Sequence, residues 1–316
     1  MQKGIVIKST GSWYQVLLEN KEQWKCRIIG KFRLQGMKLT NPVAVGDEVE
    51  IEIENENEKS GLITKILPRR NYVMRQSPRK KHFLHLLASN VDQAIVIITI
   101  VNPMLKQGFI DRFLLMTEPY NIPTVIVFNK ADLYSEDDIV LYEYLKSIYE
   151  KIGYTVLLVS AIDKTGTEEL KNVLKDKITL VGGQSGVGKS TLVNSIQPKL
   201  KLRTVELSDY SGKGQHTTTF AEMFQLDFGG AIIDSPGIKT LSFNHFKPMD
   251  VAHNFREIFE FSKNCKFNDC THRNEPHCAV KEAVTDDEIN ELRFGNYLQL
   301  MDEMEEQNYW ERNKDM

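Results

Sequence analysis

The sequence of 316 residues contains only four cysteines, too few for a disulfide scaffold in a chain of this length. No apolar run approaches the length of a membrane span. Residues 1–8 are followed by polar residues, so the hydrophobic region of a signal peptide is missing as well. We therefore expect a cytoplasmic protein with no membrane partner.

An excess of basic charge is also lacking, because 40 Lys and Arg residues stand against 43 Asp and Glu residues, for a formal net charge of −3. The overall charge therefore does not indicate a nucleic-acid partner. Hydrophobic residues make up 41% of the chain and charged residues 26%, as in ordinary globular proteins. The length suits two or three domains.

A glycine-rich segment supplies the strongest motif. It fits the pattern G-x-x-x-x-G-K-[ST] of a phosphate-binding loop and reads Gly183-Gln184-Ser185-Gly186-Val187-Gly188-Lys189-Ser190. The apolar run 178–181 predicts a strand before it, and residues 191–196 predict the start of a helix after it. The backbone N–H groups of such a loop and the N-terminus of its helix bind phosphate.

The residues of this loop have distinct expected roles. Lys189 should reach the β- and γ-phosphates of the nucleotide, and the Ser190 hydroxyl should bind Mg²⁺. The flanking residues Gly182 and Thr191 complete the predicted nucleotide contacts. The alternative is a Gly/Ser-rich turn that matches the pattern by chance, and the predicted strand and helix on either side argue against it.

A second motif, Asn129-Lys130-Ala131-Asp132, directly follows a strand predicted at 124–128. The Asp132 carboxylate can accept hydrogen bonds from guanine N1–H and N2–H₂, a pair of donors that adenine lacks. The stem of Lys130 can lie over the base, and Asn129 can tie this loop to the phosphate loop. The motif therefore predicts GTP rather than ATP as the nucleotide.

Two shorter elements extend the nucleotide site. Ser160 and Ala161, at the end of the next predicted strand, match a second guanine-binding loop. After the phosphate loop, Asp234-Ser235-Pro236-Gly237 forms an Asp-x-x-Gly element, in which Asp234 should hold Mg²⁺ and the Gly237 N–H should contact the γ-phosphate. Each motif occurs once and heptad repeats are missing, so we expect a monomer.

Hydrolysis requires a group that orients the attacking water. Ras-like GTPases place a Gln directly after the Asp-x-x-Gly element, but this chain has Ile238 there. His216, in the loop before three threonines, is the best local candidate, and its alternative is a structural or RNA-contacting role. Thr218 or Thr219 should bind Mg²⁺, and the sequence does not choose between them.

The chain before the phosphate loop divides by composition. Residues 1–70 contain five short β-rich runs and predict a closed barrel such as an OB-fold, which binds either nucleic acid or protein. Residues 71–245 alternate strands and helices, which predicts an α/β domain with a mainly parallel sheet. Within it, residues 71–90 are predicted to form a basic linker.

The linker prediction rests on a local charge excess with adjacent aromatic residues, Tyr72 and Phe83. Such a segment indicates either contact with RNA or a solvated linker, and we favour RNA contact. The six basic residues are Arg69, Arg70, Arg75, Arg79, Lys80 and Lys81.

The last region, 246–316, is predicted to be a mainly helical zinc-binding domain. Three thiolates and one imidazole suit a structural Zn²⁺ ion, with His277 as a rival ligand, whereas the alternative is buried free cysteines beside an exposed histidine. Helices are expected at 249–261, from a capping box at 285–288, and as a polar helix from 294. The ligands follow the pattern C-x4-C-x-H-x5-C and are Cys265, Cys270, His272 and Cys278.

The guanine motifs precede the phosphate loop, an order that a circular permutation explains. With the barrel and the cysteine cluster, the chain resembles the ribosome-small-subunit-dependent GTPase A family of bacteria, over essentially its whole length. The segment 212–219, Gly-Lys-Gly-Gln-His-Thr-Thr-Thr, also belongs to this resemblance. The resemblance implies late maturation of the small ribosomal subunit, contact with its rRNA, slow GTP hydrolysis that the subunit stimulates, and catalysis by His216.

Two other functions fit parts of the pattern. The chain can be a GTP-dependent RNA-binding scaffold in which hydrolysis is incidental. It can also be an assembly GTPase of the large subunit, but the barrel and the zinc cluster argue against that assignment.

Overall fold

The computed structural model describes residues 1–29, 39, 41–76, 84–106, 108–200, 202, 221–234 and 246–312. This part of the chain contains thirteen strands, eight α-helices and three short 3-10 helices, at Glu118–Tyr120, Ala131–Leu133 and Pro198–Leu200. None of these helices is long and apolar enough to span a membrane.

The first five strands form a closed barrel. Strand β3 pairs in parallel with β5, while β4 pairs antiparallel with both β5 and β1 and so closes the sheet. The predicted OB-type barrel is confirmed. In β4, Val49 and Ile51 are fully buried while Glu48 is exposed, which is the alternation expected of a half-buried strand. The strands are β1 Gln2–Ser9, β2 Tyr14–Leu18, β3 Gln23–Ile28, β4 Glu48–Asn55 and β5 Ser60–Ile66.

Residues 71–90, predicted to form a basic linker, contain strands in the structure. The described residues of this segment form an antiparallel pair, β6 (Tyr72–Gln76) and β7 (Leu84–Ser89). Val73 and Leu87 are buried in the central core, so apolar packing outweighs the basic composition that suggested a linker.

The second sheet follows the predicted α/β pattern. Its strand order is β10-β9-β8-β11-β13-β12, and all neighbours are parallel except β13 and β12, which are antiparallel. Strand β12 also pairs with β1 of the barrel at one position. Side chains of β8 alternate between two cores, so both faces of this sheet are buried. The strands are β8 Gln93–Ile98, β9 Thr124–Phe128, β10 Thr155–Leu158, β11 Ile178–Gly183, β12 Glu222–Gln225 and β13 Ala231–Asp234.

Four helices cover the two faces of this sheet. Helices α1 and α2 pack in one core, and α3 and α4 in the other. Ser135 caps the start of α2 and forms a capping box with Asp138. The helices are α1 Phe109–Thr117, α2 Glu136–Lys151, α3 Thr167–Leu174 and α4 Lys189–Ile196.

The C-terminal region is helical, as predicted, but three details of the prediction are wrong. The helix expected at 249–261 is interrupted by the extended residue Phe255, whose ring is buried. Thr285 ends a helix instead of capping one, and its hydroxyl donates to Lys281 O. The last helix begins at Glu291 and is not polar throughout, because Tyr297 and three further apolar residues are buried. The helices are α5 Pro248–His253, α6 Arg256–Ser262, α7 Ala279–Thr285 and α8 Glu291–Arg312.

Buried charges join the barrel to the rest of the chain. The Arg69 guanidinium donates to both carboxylate oxygens of Asp47 at 2.6 Å, and Asp47 is fully buried. The same carboxylate accepts from the Ser89 hydroxyl at the end of β7. Arg69, predicted as a contact for RNA, therefore lies in an internal ion pair instead.

Candidate functional site

The predicted nucleotide motifs meet at one edge of the second sheet. Asn129 follows β9, Ser160 lies two residues after β10, Gly183 ends β11 and Asp234 ends β13. Because these strands are parallel, their carboxyl ends lie along the same edge. The rotated order of the motifs in sequence thus still produces a single site.

The phosphate-binding segment lies between β11 and α4, the strand and helix predicted on either side of it. Gly188 adopts a φ of 86° as the N-cap of α4, and a Cβ there would lie 2.6 Å from Asn129 Nδ2. A Cβ at Gly183 would lie 2.2 Å from the Ile97 carbonyl oxygen. Only glycine fits the close approaches of this loop to its neighbours.

The loop already positions its lysine. Lys189 Nζ donates to the carbonyl oxygens of Gly183 at 2.8 Å and Gln184 at 2.7 Å. Ser190 follows on the first turn of α4 and is half-buried. The ammonium group and the N-terminus of the helix therefore face the concave side of the loop, where an anion is stabilised.

Asn129 ties the two predicted loops together. Its side chain is 1% exposed, and Nδ2 donates to the Val187 carbonyl oxygen at 2.8 Å. The Asn129 Oδ1 atom is buried and has no hydrogen-bond partner among the described residues. A buried acceptor of this kind costs free energy unless a ligand supplies a donor.

The predicted base-reading residues are also in contact. Ser160 Oγ donates to Asp132 Oδ1 at 2.6 Å, and the same hydroxyl accepts from the Ile162 backbone N–H. Asp132 is exposed. The carboxylate is thereby fixed in orientation, and its exposure leaves it accessible to a base.

Lys130 has the left-handed φ of 68°, and its ammonium donates to the Asn102 carbonyl oxygen. The pKa of Lys130 is lowered, because the effect of burial outweighs the opposite effect of the Asp132 charge. Its aliphatic stem is therefore held between two loops at the rim of the site.

Tyr134 is a site residue that the sequence motifs do not reveal. Its hydroxyl donates to the Asn129 carbonyl oxygen at 3.0 Å and accepts from the Ile100 N–H at 3.0 Å. Burial raises the pKa of Tyr134, so the hydroxyl keeps its proton. Both partners of the Tyr134 hydroxyl are backbone groups that lie just after β8 and β9. No side-chain pattern in the sequence therefore points to Tyr134.

Four residues of the predicted nucleotide site lie outside the described part of the chain, and so do three predicted RNA contacts, Arg79, Lys80 and Lys81. Asp234 is described and is half-buried at the end of β13, on the site edge. The four nucleotide-site residues outside the described part of the chain are His216, Thr218, Thr219 and Gly237.

The predicted cysteine–histidine cluster comes together in the C-terminal region. The ligand atoms of its four residues lie within 4.8 Å of one another, including Cys265 Sγ and Cys278 Sγ at 3.9 Å and Cys278 Sγ and His272 Nδ1 at 3.4 Å. His277 is exposed and is not in the cluster, so the rival ligand is excluded. The four ligand atoms thus fit a tetrahedral metal site.

The segment around the cluster is ordered by Glu275. Its carboxylate accepts from the N–H and hydroxyl of Thr271 and from the Arg273 N–H. Burial raises the pKa of Glu275, but these three donors outweigh it and lower the pKa to about 2. The loop that carries His272 is therefore held in shape by a fixed negative charge.

A buried ionic network joins the C-terminal helices to α1 and α2. Arg293 of α8 pairs with Asp111 of α1 and with Glu257 of α6, and Tyr149 of α2 donates to the same Asp111. Burial opposes the charge of Arg293, yet the two carboxylates hold its pKa well above the usual range. The helices around the metal cluster thus pack against α1 and α2 of the nucleotide-binding domain through a contact that is buried from solvent.

Comparison with protein families gives two matches. The family model of the RsgA GTPase matches residues 66–244, and that of the RsgA N-terminal domain matches residues 3–63.

Curated relatives match over nearly the whole chain. A protein of Phocaeicola vulgatus named small ribosomal subunit biogenesis GTPase RsgA is 48% identical over 97% of this chain and 98% of its own. A protein of the same name from Flavobacterium psychrophilum is 47% identical over 95% of this chain and 92% of its own.

Two solved structures share the fold. YjeQ from Thermotoga maritima superimposes with a TM-score of 0.76 and is 38% identical over 96% of this chain and 98% of its own. YloQ, described as a circularly permuted GTPase, gives a TM-score of 0.73 and 31% identity over 97% of this chain and 96% of its own. The fold is thus an N-terminal barrel followed in sequence by a circularly permuted GTPase domain, and the chain belongs to the RsgA GTPase family.

Proposed function

We propose that the protein hydrolyses GTP to GDP and phosphate during late maturation of the small ribosomal subunit, slowly alone and faster on the subunit. The observation that carries this proposal is the joining of the phosphate and guanine loops by the Asn129–Val187 bond. The relatives named small ribosomal subunit biogenesis GTPase support the choice of partner.

We assign GTP binding to three groups of residues. Asp132 reads the guanine edge with Ser160 and Ala161 beside it, and Lys130 covers the base. The phosphates are bound by the backbone of 182–191 and by Lys189, and by the Gly237 N–H at the γ-phosphate. When bound, Mg²⁺ would offset part of the negative charge of the phosphates. Its proposed ligands are Ser190, Asp234 and one of Thr218 and Thr219.

Water activation is assigned to His216. Ile238, in the position of the usual glutamine, can neither donate nor accept a hydrogen bond. An imidazole can orient water and accept its proton, which makes His216 the candidate in this segment. Dependence on the ribosomal subunit follows if the subunit orders the loop that carries His216.

The metal cluster is assigned to a structural Zn²⁺ ion. Three cysteines and one histidine form a closed set of soft ligands with no position left for substrate. The ion stabilises the loop between α6 and α7 when bound. The expected ligands are Cys265, Cys270, His272 and Cys278.

The barrel is the proposed rRNA-binding surface. Trp13 is 38% exposed, and Lys25 Nζ lies 4.4 Å from the centre of its ring, with the Arg27 guanidinium at 5.3 Å. An open depression of about 410 Å³ lies beside Trp13 and Lys25. Aromatic rings and cations in this arrangement suit an unstacked base and its phosphates.

We propose three functional regions, 1–70 for the barrel, 71–245 for the GTPase domain and 246–316 for the zinc-binding domain. We further propose that the protein acts as a monomer in the cytoplasm, where it meets the ribosomal subunit.

The test is GTP turnover by the purified protein alone and with small or large ribosomal subunits. Stimulation by small subunits only, and its loss in a His216→Ala variant that still binds GTP, is the expected result. Equal turnover with either subunit or with none would overturn the ribosome-dependent switch. Normal subunit binding and release by the His216→Ala variant would favour the scaffold, in which hydrolysis is incidental.

A further inference from the structure

Helix α2 has an unusual distribution of apolar side chains. Of its eight apolar residues, four are buried against the sheet and four remain exposed. A helix on the surface of a globular protein normally keeps its apolar residues on the buried face. The exposed residues are Ile139, Val140, Leu141 and Tyr144, with exposed fractions of 36%, 68%, 40% and 46%.

Three of these residues share one side of the helix. Val140, Leu141 and Tyr144 have the spacing that places side chains on adjacent turns, and Asp137 begins the same stripe. The Tyr144 hydroxyl accepts from Asn290 Nδ2 at 3.2 Å, so the stripe ends against the turn between α7 and α8. We call the surface formed by Val140, Leu141 and Tyr144 the α2 face.

The edges of the α2 face are acidic. Exposed carboxylates precede and accompany the stripe on α2, and three more lie on the turn before α8. Two lysines lie on α2: Lys146 is 4.0 Å from Glu143, and Lys151 donates to the Asp287 carbonyl oxygen and lies 3.7 Å from Glu288. The acidic residues are Glu136, Asp137, Glu143, Asp286, Asp287 and Glu288.

We propose that the α2 face docks a segment of a small-subunit ribosomal protein that is rich in Lys and Arg and carries apolar residues. Cations of such a segment complement the acidic edges, and its apolar side chains cover the exposed stripe. RNA is disfavoured because phosphates and these carboxylates repel. A second copy of this chain is disfavoured because two acidic faces would meet. This inference rests on the proposed role at the small subunit.

A photo-cross-linking residue placed at Val140 tests the occupant directly. The protein is first sedimented with purified small subunits and then irradiated, and the products are identified by mass spectrometry. Cross-links to a Lys- and Arg-rich protein segment are expected. Cross-links to rRNA or to a second copy, or none despite sedimentation, would overturn the α2 face alone. Failure to sediment would contradict the proposed function as well.

Charge variants give an independent measurement. Val140→Lys removes apolar area and adds a positive charge, so it should weaken binding to small subunits by about tenfold. Strengthened binding would indicate RNA at this face and overturn the proposal, as would unchanged binding. The matched control is Asn172→Lys on the exposed side of α3, which should leave binding unchanged. Intrinsic GTP turnover should be the same in both variants.

Discussion

At the scale of single residues, base selectivity depends on how the Asp132 carboxylate is held. Ser160 donates to one of its oxygens, which fixes the plane of the carboxylate against rotation. The motif in the sequence predicts both residues, because their spacing from predicted strands places them at one sheet edge. The hydrogen bond itself is a matter of geometry that spacing alone does not define.

Asp132→Asn should convert the site from guanine to xanthine preference. An amide presents one acceptor and one donor, which match the N1–H and the 2-oxo group of xanthine, while guanine loses an acceptor for its amino group. We expect the ratio of GTP to XTP affinity to fall by at least about 100-fold. Competition with a fluorescent nucleotide measures it. Glu169→Gln, at an exposed carboxylate on α3, is the control and should change neither affinity.

Tyr134→Phe should weaken GDP binding by about 5- to 30-fold, because the loss of a hydroxyl that joins two backbone groups costs about 1–2 kcal/mol. The maximal turnover rate should stay constant, since Tyr134 positions the guanine loop and does not touch the phosphates. Titration calorimetry with GDP is the measurement. Tyr142→Phe, whose ring packs edge-on against Phe128, is the control. A matching loss of affinity in the control would contradict this role.

At the scale of helices and strands, the sequence predicts elements whose pattern is local. The capping box at Ser135 and the alternation of β4 involve residues that are neighbours in sequence, so a local pattern is enough to reveal them. The break at Phe255 is not local, because the ring leaves the helix to pack against Tyr297 of α8 and under Arg293. Tertiary packing of this kind overrides helix propensity.

The β6–β7 pair shows the same limit in a charged segment. Basic residues dominate the count between 69 and 81, but Val73 and Leu87 decide the structure by burial. Arg69 is counted among the basic residues of this segment, but its ion pair with Asp47 attaches it to the barrel. Composition predicts the partner of a segment poorly where single side chains are buried.

Arg69→Ala should destabilise the protein by about 3–5 kcal/mol, because it leaves the Asp47 carboxylate buried without its cation. The midpoint of thermal unfolding measures the loss. An Arg69→Ala, Asp47→Ala double variant should be less destabilised than the sum of the single variants. Strict additivity would mean that the pair does not interact, and a loss of RNA affinity at unchanged stability would restore Arg69 as an RNA contact.

At the scale of the whole molecule, the metal cluster and the Arg293 network support one contact between domains. Four ligands from a short segment close the loop between α6 and α7, while Arg293, Asp111 and Glu257 attach the surrounding helices to α1. The sequence predicts the cluster, because its ligands are close along the chain. The network joins residues 182 positions apart and leaves no such pattern.

Removal of the metal should therefore loosen the C-terminal region and leave the nucleotide sheet folded. The purified protein should release one Zn²⁺ ion per chain on denaturation. A strong chelator should make residues between α6 and α7 sensitive to protease while GDP binding persists. His272→Ala should lose the ion and His277→Ala should retain it, because His277 is exposed outside the cluster. Full metal retention by His272→Ala would disprove the ligand set.

The contact between barrel and sheet also affects solubility. Strand β12 is the last strand of the GTPase sheet, and an open strand of this kind offers its N–H and C=O groups to other chains. Strand β1 covers part of it: Lys8 faces Glu222 at an ion-pair distance of 2.8 Å, and the Ser9 N–H donates to Ala221 O. We therefore expect a variant without the barrel to expose the backbone groups of β12 and to aggregate edge to edge more readily than the whole chain.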